Sequence, residues 1–389
     1  MAASGLASRP DPRLSVPPRA DPVRLARNHL VTPAPKARLV DVVRDLCAVQ
    51  AQLLSAAELA LSARVKDLTQ ADVRIALWER RSLVRAWTVR GTIHVVPADD
   101  LPLWSAAIRA SRYWESPEWL ARSDRTVRDA VAVFDTITDA LDGKTLTRQE
   151  IADAVAARVG PRLRPKIASL WGELLAPVTY MGRLCFGPMR GPNVTFVRAD
   201  QWVRSWRDVA PDEAWSELVR RFLRTYGPAP LEGIAGWFGL DPARARALLA
   251  SLGSDVVDHG EGWVLRGDRR AVPVTRRSVR LLPQYDAYVM GTRPRERIVP
   301  DAVRARIRTF RRGRWEGAAG VPLLLVDGIV AGVWDRRARH GRIAITVEPV
   351  LRLTARQRLL LAAEARRVGR FLGRDADLEI GPIGTDALS

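Results

Sequence analysis

The segment AVQAQLL, residues 48–54, sets Gln50 and Gln52 among Ala48, Val49, Ala51, Leu53 and Leu54. Two amides in an apolar run need a reason, because a buried amide without partners costs about 1–3 kcal/mol. On a helix, side chains two positions apart diverge by about 200° and could not serve one target. On extended backbone they share a face, with Ala51 turned inward between them. The spacing therefore predicts an extended segment presenting both amides together. Neither side chain is a general base, but oriented amide oxygens can hold a water molecule and stabilise a cationic transition state. The plain alternative is that each glutamine bonds nearby backbone and does nothing else.

The elements that would position this pair are read next. LVRAWTVRGTIHVV, residues 83–96, is rich in Val, Ile and Thr and bounded by Pro97, which predicts a strand with Gly91 as a bend or bulge. Along it Arg90 and His94 alternate with Thr92 and share a face, as candidate binding or active-site contacts. Arg85 falls on the opposite face as a solvated or phosphate-contacting side chain. Upstream, periodic apolar positions from Val23 to about Val49 suit helices interrupted at Thr32-Pro33-Ala34-Pro35, and a further helix runs through Thr69 to Glu79.

Two later segments resemble each other. Thr147 and Glu150 stand at capping-box spacing, followed by a helix from about Pro165 to Met181 and two short strands in RLCFGPMRGPNVTFVR. APLEGIAGWFG gives one helix, Asp241-Pro242 starts another, and VVDHGEGWVLR reads as a hairpin over His259 to Gly262. Helix, turn, helix and hairpin is the order of a winged helix-turn-helix, and the N-terminal segment supplies a third copy. Beyond Gly267, strands are expected around 279–282, 322–326, 329–334 and 342–347, with a final helix from Thr354 to Leu372 capped near Gly373. The fold class is α+β: tandem winged helix-turn-helix units, three in number, with a C-terminal mixed α/β portion. The divisions fall at 1–20 (a flexible tail), 21–130, 131–208, 209–267 and 268–389.

Charge names the partner. The 389 residues carry 62 Lys+Arg against 43 Asp+Glu, a net +19, and residues 266–314 hold fifteen Arg with four acids, Asp268, Asp286, Glu296 and Asp301. Such a surplus favours a polyanion, because phosphates neutralised by arginine release condensed counterions. Arg276, Arg277, Arg293, Arg295, Arg311 and Arg312 are the candidate phosphate contacts. Cys47 and Cys185 have no close-spaced partner, and His29, His94, His259 and His340 are scattered, so neither a disulfide framework nor a metal site is expected. No cofactor is called for. The absence of a long apolar run and of a signal-peptide h-region predicts a cytoplasmic protein away from membranes.

Four stretches carry a family resemblance: VQAQ at 49–52, RAWTVRGTIHVVPADDLPLW at 85–104, LLPQYDAYVMGTRPR at 281–295 and VDGIVAGVWDRR at 326–337. They stand in the order seen in winged-helix DNA glycosylases of the AlkZ/YcaQ type, and the chain resembles that family from about Asp21 to Leu372. The resemblance implies tandem winged helices cradling duplex DNA, a QxQ or QxD active-site motif, and removal of N-alkylated purines, including unhooking of interstrand crosslinks. It places the two catalytic positions on Gln50 and Gln52. Gln at the second position sets the chain nearer the AlkZ branch, often found beside genotoxin biosynthesis, where the activity would give self-resistance. Gln284 and Tyr285 before Asp286 depart from the small or apolar residues of related sequences, a difference that bears on substrate choice.

An uncharged pair suits that chemistry. Alkylation at N7 or N3 makes the purine cationic and weakens the C1′–N bond, so the site needs mainly to hold water near C1′, and an unmodified purine stays inert. No lysine lies in the QAQ segment to form a Schiff base, Lys66 being the nearest downstream, which predicts a monofunctional enzyme. The alternatives are a non-catalytic winged-helix regulator, which should prefer one sequence and dimerise on a palindrome, or a scaffold that binds damage and recruits other proteins. Three units with a basic platform fit a monomer better than half-site reading.

Overall fold

A computed structural model describes residues 20–169, 173–268 and 277–387. Apart from Ala20, the proposed N-terminal tail lies outside the described residues, as does Arg276.

Three successive stretches each give helix, short extended segment, helices and hairpin. The first comprises helix Leu39–Asp45, β1 (Val49–Gln50), helix Leu54–Ser62, helix Gln70–Arg74 continued by a π-helical turn Ile75–Glu79, then β2 (Leu83–Trp87) and β3 (Ile93–Pro97), in the sheet order β1-β3-β2. The second runs through helix Val127–Ala140, β4 (Leu146–Thr147), helix Arg148–Arg158, short helices Arg164–Ala168 and Ala176–Tyr180, β5 (Cys185–Arg190) and β6 (Asn193–Val197), in the order β4-β6-β5. The third has helix Pro211–Tyr226, a bridge between Ala229 and Trp263, helices Leu231–Phe238 and Pro242–Ser251, and the hairpin β7 (Val256–Asp258) to β8 (Trp263–Leu265).

The C-terminal portion is a five-stranded sheet, order β13-β12-β11-β10-β9, made of β9 (Val279–Leu282), β10 (Leu323–Val326), β11 (Ile329–Arg339), β12 (Arg342–Pro349) and β13 (Ala376–Ile380). Within this sheet β12 and β13 pair in parallel, and helix Ala355–Phe371 supplies the crossover that a parallel pair needs. Leu25 and Leu30, beside or within helix Pro22–Arg27, share a core with Leu282, Tyr288, Phe310 and Leu323, so the N-terminal helix belongs by packing to this sheet. A fully buried ion pair, Arg64 to Asp286 at 2.6 Å, joins the first stretch to the C-terminal portion.

Local signals fixed the ends of several helices. Thr147 with Glu150 forms a reciprocal capping box, Asp241 accepts from Arg244 N ahead of Pro242, and Thr354 pairs with Gln357 in the same way. Two expectations are corrected. The single strand over 83–96 is a hairpin, because Arg90 and Gly91 both take positive φ, 61° and 65°, and turn the chain back on itself. The long helix over 165–181 is broken: Ser169 leaves helical geometry at ψ 139°, and among the described residues the next helix is Ala176–Tyr180.

Candidate active site

The glutamine segment emerges from a forced turn. After helix Leu39–Asp45 the backbone passes through Cys47 at φ 55° and Ala48 at φ 98°, a region that side chains other than glycine rarely enter. Helix Pro211–Tyr226 holds this turn: Tyr226 Oη donates to Leu46 O at 3.1 Å, Thr225 Oγ1 to Asp45 O, and Cys47 Sγ lies 3.7 Å from Leu218 O. The chain then pairs with β3, Val49 opposite Val95 and Gln50 opposite His94, and Ala51 N donates to Ile93 O at 2.7 Å. Ala51 is fully buried between a half-buried Gln50, the last residue of β1, and an exposed Gln52, where the chain bends.

Both amide oxygens are held by donors that cannot act as acceptors. Arg90 Nη2 donates to Gln50 Oε1 at 3.1 Å, and Ile93 N donates to Gln52 Oε1 at 2.9 Å. A guanidinium and a backbone N–H only donate, so the oxygen and nitrogen of each amide are assigned without ambiguity. The Nε2 groups of Gln50 and Gln52 have no partner among the described residues. Arg85 completes the frame, donating from Nε to Ala51 O at 3.2 Å and from Nη2 to Gln52 O at 3.3 Å, with its guanidinium 4.4 Å from the Phe186 ring centroid.

His94 is locked behind Gln50. Arg90 Nη2 lies 3.0 Å from His94 Nε2, which must accept; the ring proton therefore sits on Nδ1, 2.7 Å from Thr88 Oγ1 and 3.1 Å from Thr92 O. Burial and then the Arg90 charge push the imidazole pKa well below its usual value, so the ring is neutral. Arg90 is itself lowered to about 10, chiefly by burial and further by Arg293 and Arg295, and stays charged at neutral pH. Its Nη1 donates to Trp237 O at the end of helix Leu231–Phe238.

The sequence expectations for this hairpin are corrected accordingly. His94, 1% exposed, offers no surface to a DNA strand, and Arg85, 7% exposed and lowered to about 10 by burial, is neither solvated nor open to a phosphate. Both act through the backbone and the neighbours of the glutamines, as positioning residues. Arg90 also spends its donors inside the protein, on Gln50, His94 and Trp237. The partners that confine these three, Thr88, Phe186 and Trp237, were not found by sequence reasoning, and apart from the nearby Thr88 no short-range signal links them to residues 50–52.

The remaining arginines are arranged outside this frame. Arg277 is exposed and bonds Asp327 at 3.0 Å. Arg293 and Arg295 line a cavity of about 530 Å³ with Arg304 and Arg308, floored by Pro230 and Ile307. Glu232 lines the same cavity from helix Leu231–Phe238, the helix whose Trp237 O accepts from Arg90. Arg311 is exposed, whereas Arg312 faces Tyr285, a phenol pushed up to about 12 by burial and by its bond to Glu316. Asp286 caps helix Ala287–Gly291 and pairs with Arg64 in a bidentate bond, so it is structural.

The family model described as DNA glycosylase AlkZ-like matches residues 43–371, which include the QAQ segment, the 83–97 hairpin and the sheet up to helix Ala355–Phe371. The chain belongs to that family. This glycosylase is 29% identical over 307 residues, 76% of its own chain and 81% of the relative, to an interstrand DNA cross-link repair glycosylase of Streptomyces sahachiroi. It is also similar to the solved DNA glycosylase AlkZ of Streptomyces sahachiroi, at a TM-score of 0.76 and 26% identity, covering 92% of this chain and 98% of that one. A DNA glycosylase is a hydrolase, and the alternative of a non-catalytic regulator is set aside.

Proposed function

We propose that this glycosylase hydrolyses the N-glycosidic bond of purines alkylated at N7 or N3 in double-stranded DNA, with Gln50 and Gln52 as its catalytic residues. The reading extends to unhooking of interstrand crosslinks, as the name of its relative suggests, and to self-resistance against a genotoxin. It acts as a cytoplasmic monomer whose three helix-and-hairpin stretches are winged helices cradling the duplex. Among the described residues no helix is long and apolar enough to cross a membrane.

The observation that carries this reading is the fixed orientation of the two amides. Each Oε1 accepts one bond from the protein and keeps a second lone pair for a water hydrogen. A water held there is aimed, not deprotonated, because His94 is neutral, buried and already accepting from Arg90. In an N7- or N3-alkylated purine the base already carries the positive charge. As the C1′–N bond breaks, its electron pair neutralises the base and the charge passes to the sugar as an oxocarbenium. The water oxygen then bonds to C1′ and releases its proton to solvent. No acid is needed to expel the base and no net charge appears, so oriented dipoles suffice. An unmodified purine would leave as an anion, and nothing in this frame supports that.

The test is abasic-site formation on a duplex carrying one N7-alkylguanine. Gln50→Ala and Gln52→Ala are expected to lose about 100-fold or more in single-turnover rate, the scale of removing a preorganised polar group. Wild-type rates in both variants would reject the assignment.

A further inference from the structure

Trp315 keeps 86% of its surface in solvent, while Trp87 and Trp114 are each only 3% exposed. An indole so fully exposed gains nothing for the fold. It does not stand on a loose loop. Helix Arg311–Glu316 is seated so closely that a Cβ at Gly313 would lie 1.9 Å from Ile307 O, and one at Gly320 would lie 2.8 Å from Glu316 Cβ. Arg295 Nη1 donates to Glu316 O at 3.4 Å, and Tyr285 N donates to Ala319 O at 2.7 Å just beyond the helix. The ring is therefore presented on a braced platform.

The chain around it is rich in arginine, and the one acid between residues 308 and 317, Glu316, is bonded to Tyr285. Arg308, Arg311 and Arg314 are exposed and have no carboxylate partner among the described residues. Exposed arginines elsewhere are often paired, as in Arg158–Asp139, Arg164–Asp153 and Arg183–Asp135. A chain of contacts leads from the patch toward the glutamine site: Arg308 lines the cavity with Arg293 and Arg295, a Cβ at Gly317 would lie 3.8 Å from Arg295 Nη1, a Cβ at Gly233 would lie 3.4 Å from Arg293 Cβ, and Trp237 O of the Gly233 helix accepts from Arg90, which also holds Gln50. A flat π-face on a helix that also carries the unpaired Arg311 and Arg314 fits a polyanion that exposes aromatic rings, which is a nucleic acid with an open base face.

We propose that Trp315 is a damage-sensing DNA contact, stacking its indole into a disturbed base step near the lesion while Arg308, Arg311 and Arg314 hold the flanking phosphates. This rests on the DNA glycosylase reading above. An intact duplex offers no free base face and must be unstacked before the ring can enter; a step already weakened by damage admits it at lower cost. Trp315 therefore favours interrupted stacks over intact ones.

The experiment measures affinity of wild type, W315F, W315A and the double variant R311A/R314A for two duplexes of one sequence. One is intact and one contains a single tetrahydrofuran abasic analogue, and both are titrated across a salt series. W315A is expected to bind the interrupted duplex about 5- to 100-fold more weakly, the range for loss of one base–aromatic stack. Its affinity for the intact duplex and its salt slope stay unchanged, and W315F retains most of the preference. R311A/R314A instead weakens both duplexes and flattens the slope by about 2. Iodide quenching of Trp315 falls on binding the interrupted duplex. Wild-type affinity of W315A for the interrupted duplex, or an indole as quenchable in the complex as in the free protein, overturns the proposal and leaves the glycosylase reading intact. Failure of the wild-type protein to bind either duplex overturns both.

Discussion

Replacing Arg90 with methionine keeps the aliphatic stem and deletes the donor on which Gln50 depends. Three acceptors lose their partner: Gln50 Oε1 at 3.1 Å, His94 Nε2 at 3.0 Å and the carbonyl of Trp237. Gln50 is half-buried and can turn to water. His94 and Trp237 are buried, and each unpaired acceptor costs about 1–3 kcal/mol. Against this stands the relief of no longer burying a charge, an effect visible in the lowering of the Arg90 pKa to about 10. The net expectation is a loss of about 2–4 kcal/mol of stability, read from the urea midpoint. The rate falls separately, because an amide released from its donor samples misaligned rotamers; displacement of a reacting group by about 1 Å costs on the order of 100-fold. Single-turnover excision of N7-alkylguanine with enzyme in excess, at a urea concentration far below the variant's own midpoint, isolates that term. Excision at the wild-type rate together with an unchanged midpoint would refute the claim that Arg90 sets Gln50.

Three other outcomes follow from the same geometry. His94 has a folded-state pKa well below the unfolded value of about 6.5, so below that pH the unfolded chain binds a proton that the folded chain refuses. Stability should therefore fall with pH through and below about 6.5, by up to about 1.4 kcal/mol per pH unit, until the folded ring titrates; His94→Gln should remove that slope from a series of urea melts. Asp286→Asn strands Arg64 in the core, 0% exposed, and should cost about 3–5 kcal/mol by the same measurement. Arg85→Met should slow excision while leaving the salt slope of DNA binding unchanged, since its guanidinium holds Ala51 O and Gln52 O; a slope reduced by about one unit would mark it as a phosphate contact after all.

The legible parts of the sequence were the local ones. Thr147 and Glu150, Asp241 and Pro242, and Thr354 satisfy helix-end amides within four residues, so their meaning does not depend on the rest of the fold. The extended start of the QAQ segment, Val49–Gln50, was legible for the same reason, as side-chain alternation is a property of the backbone itself, whereas the bend at Gln52 and Leu53 was not foreseen. The 83–97 hairpin was misread because Val, Ile and Thr favour extended backbone on either side of a reversal, and a non-glycine residue, Arg90, takes the first left-handed position. Polar ADLEI gave no sign of β13, which is an edge strand with exposed side chains. Burial of Arg85 and His94 was hidden because what covers them comes from distant segments, Phe186 over the guanidinium and Trp237 behind Arg90. Charge alone cannot tell an arginine that faces solvent from one that braces a loop.

The anchoring of Arg90 on Trp237 spans 147 residues, and Gly239, at φ 69°, passes so near that a Cβ there would lie 3.0 Å from Arg90 Cγ. The ribosome makes both glutamines early, but the helix that steadies Arg90 beside them only after the whole second stretch and the first helix of the third. A truncated or nicked product ending before that helix would carry the whole QAQ motif and still lack its brace. On the proposed assignment of the glutamines, such a fragment is expected to lack excision activity.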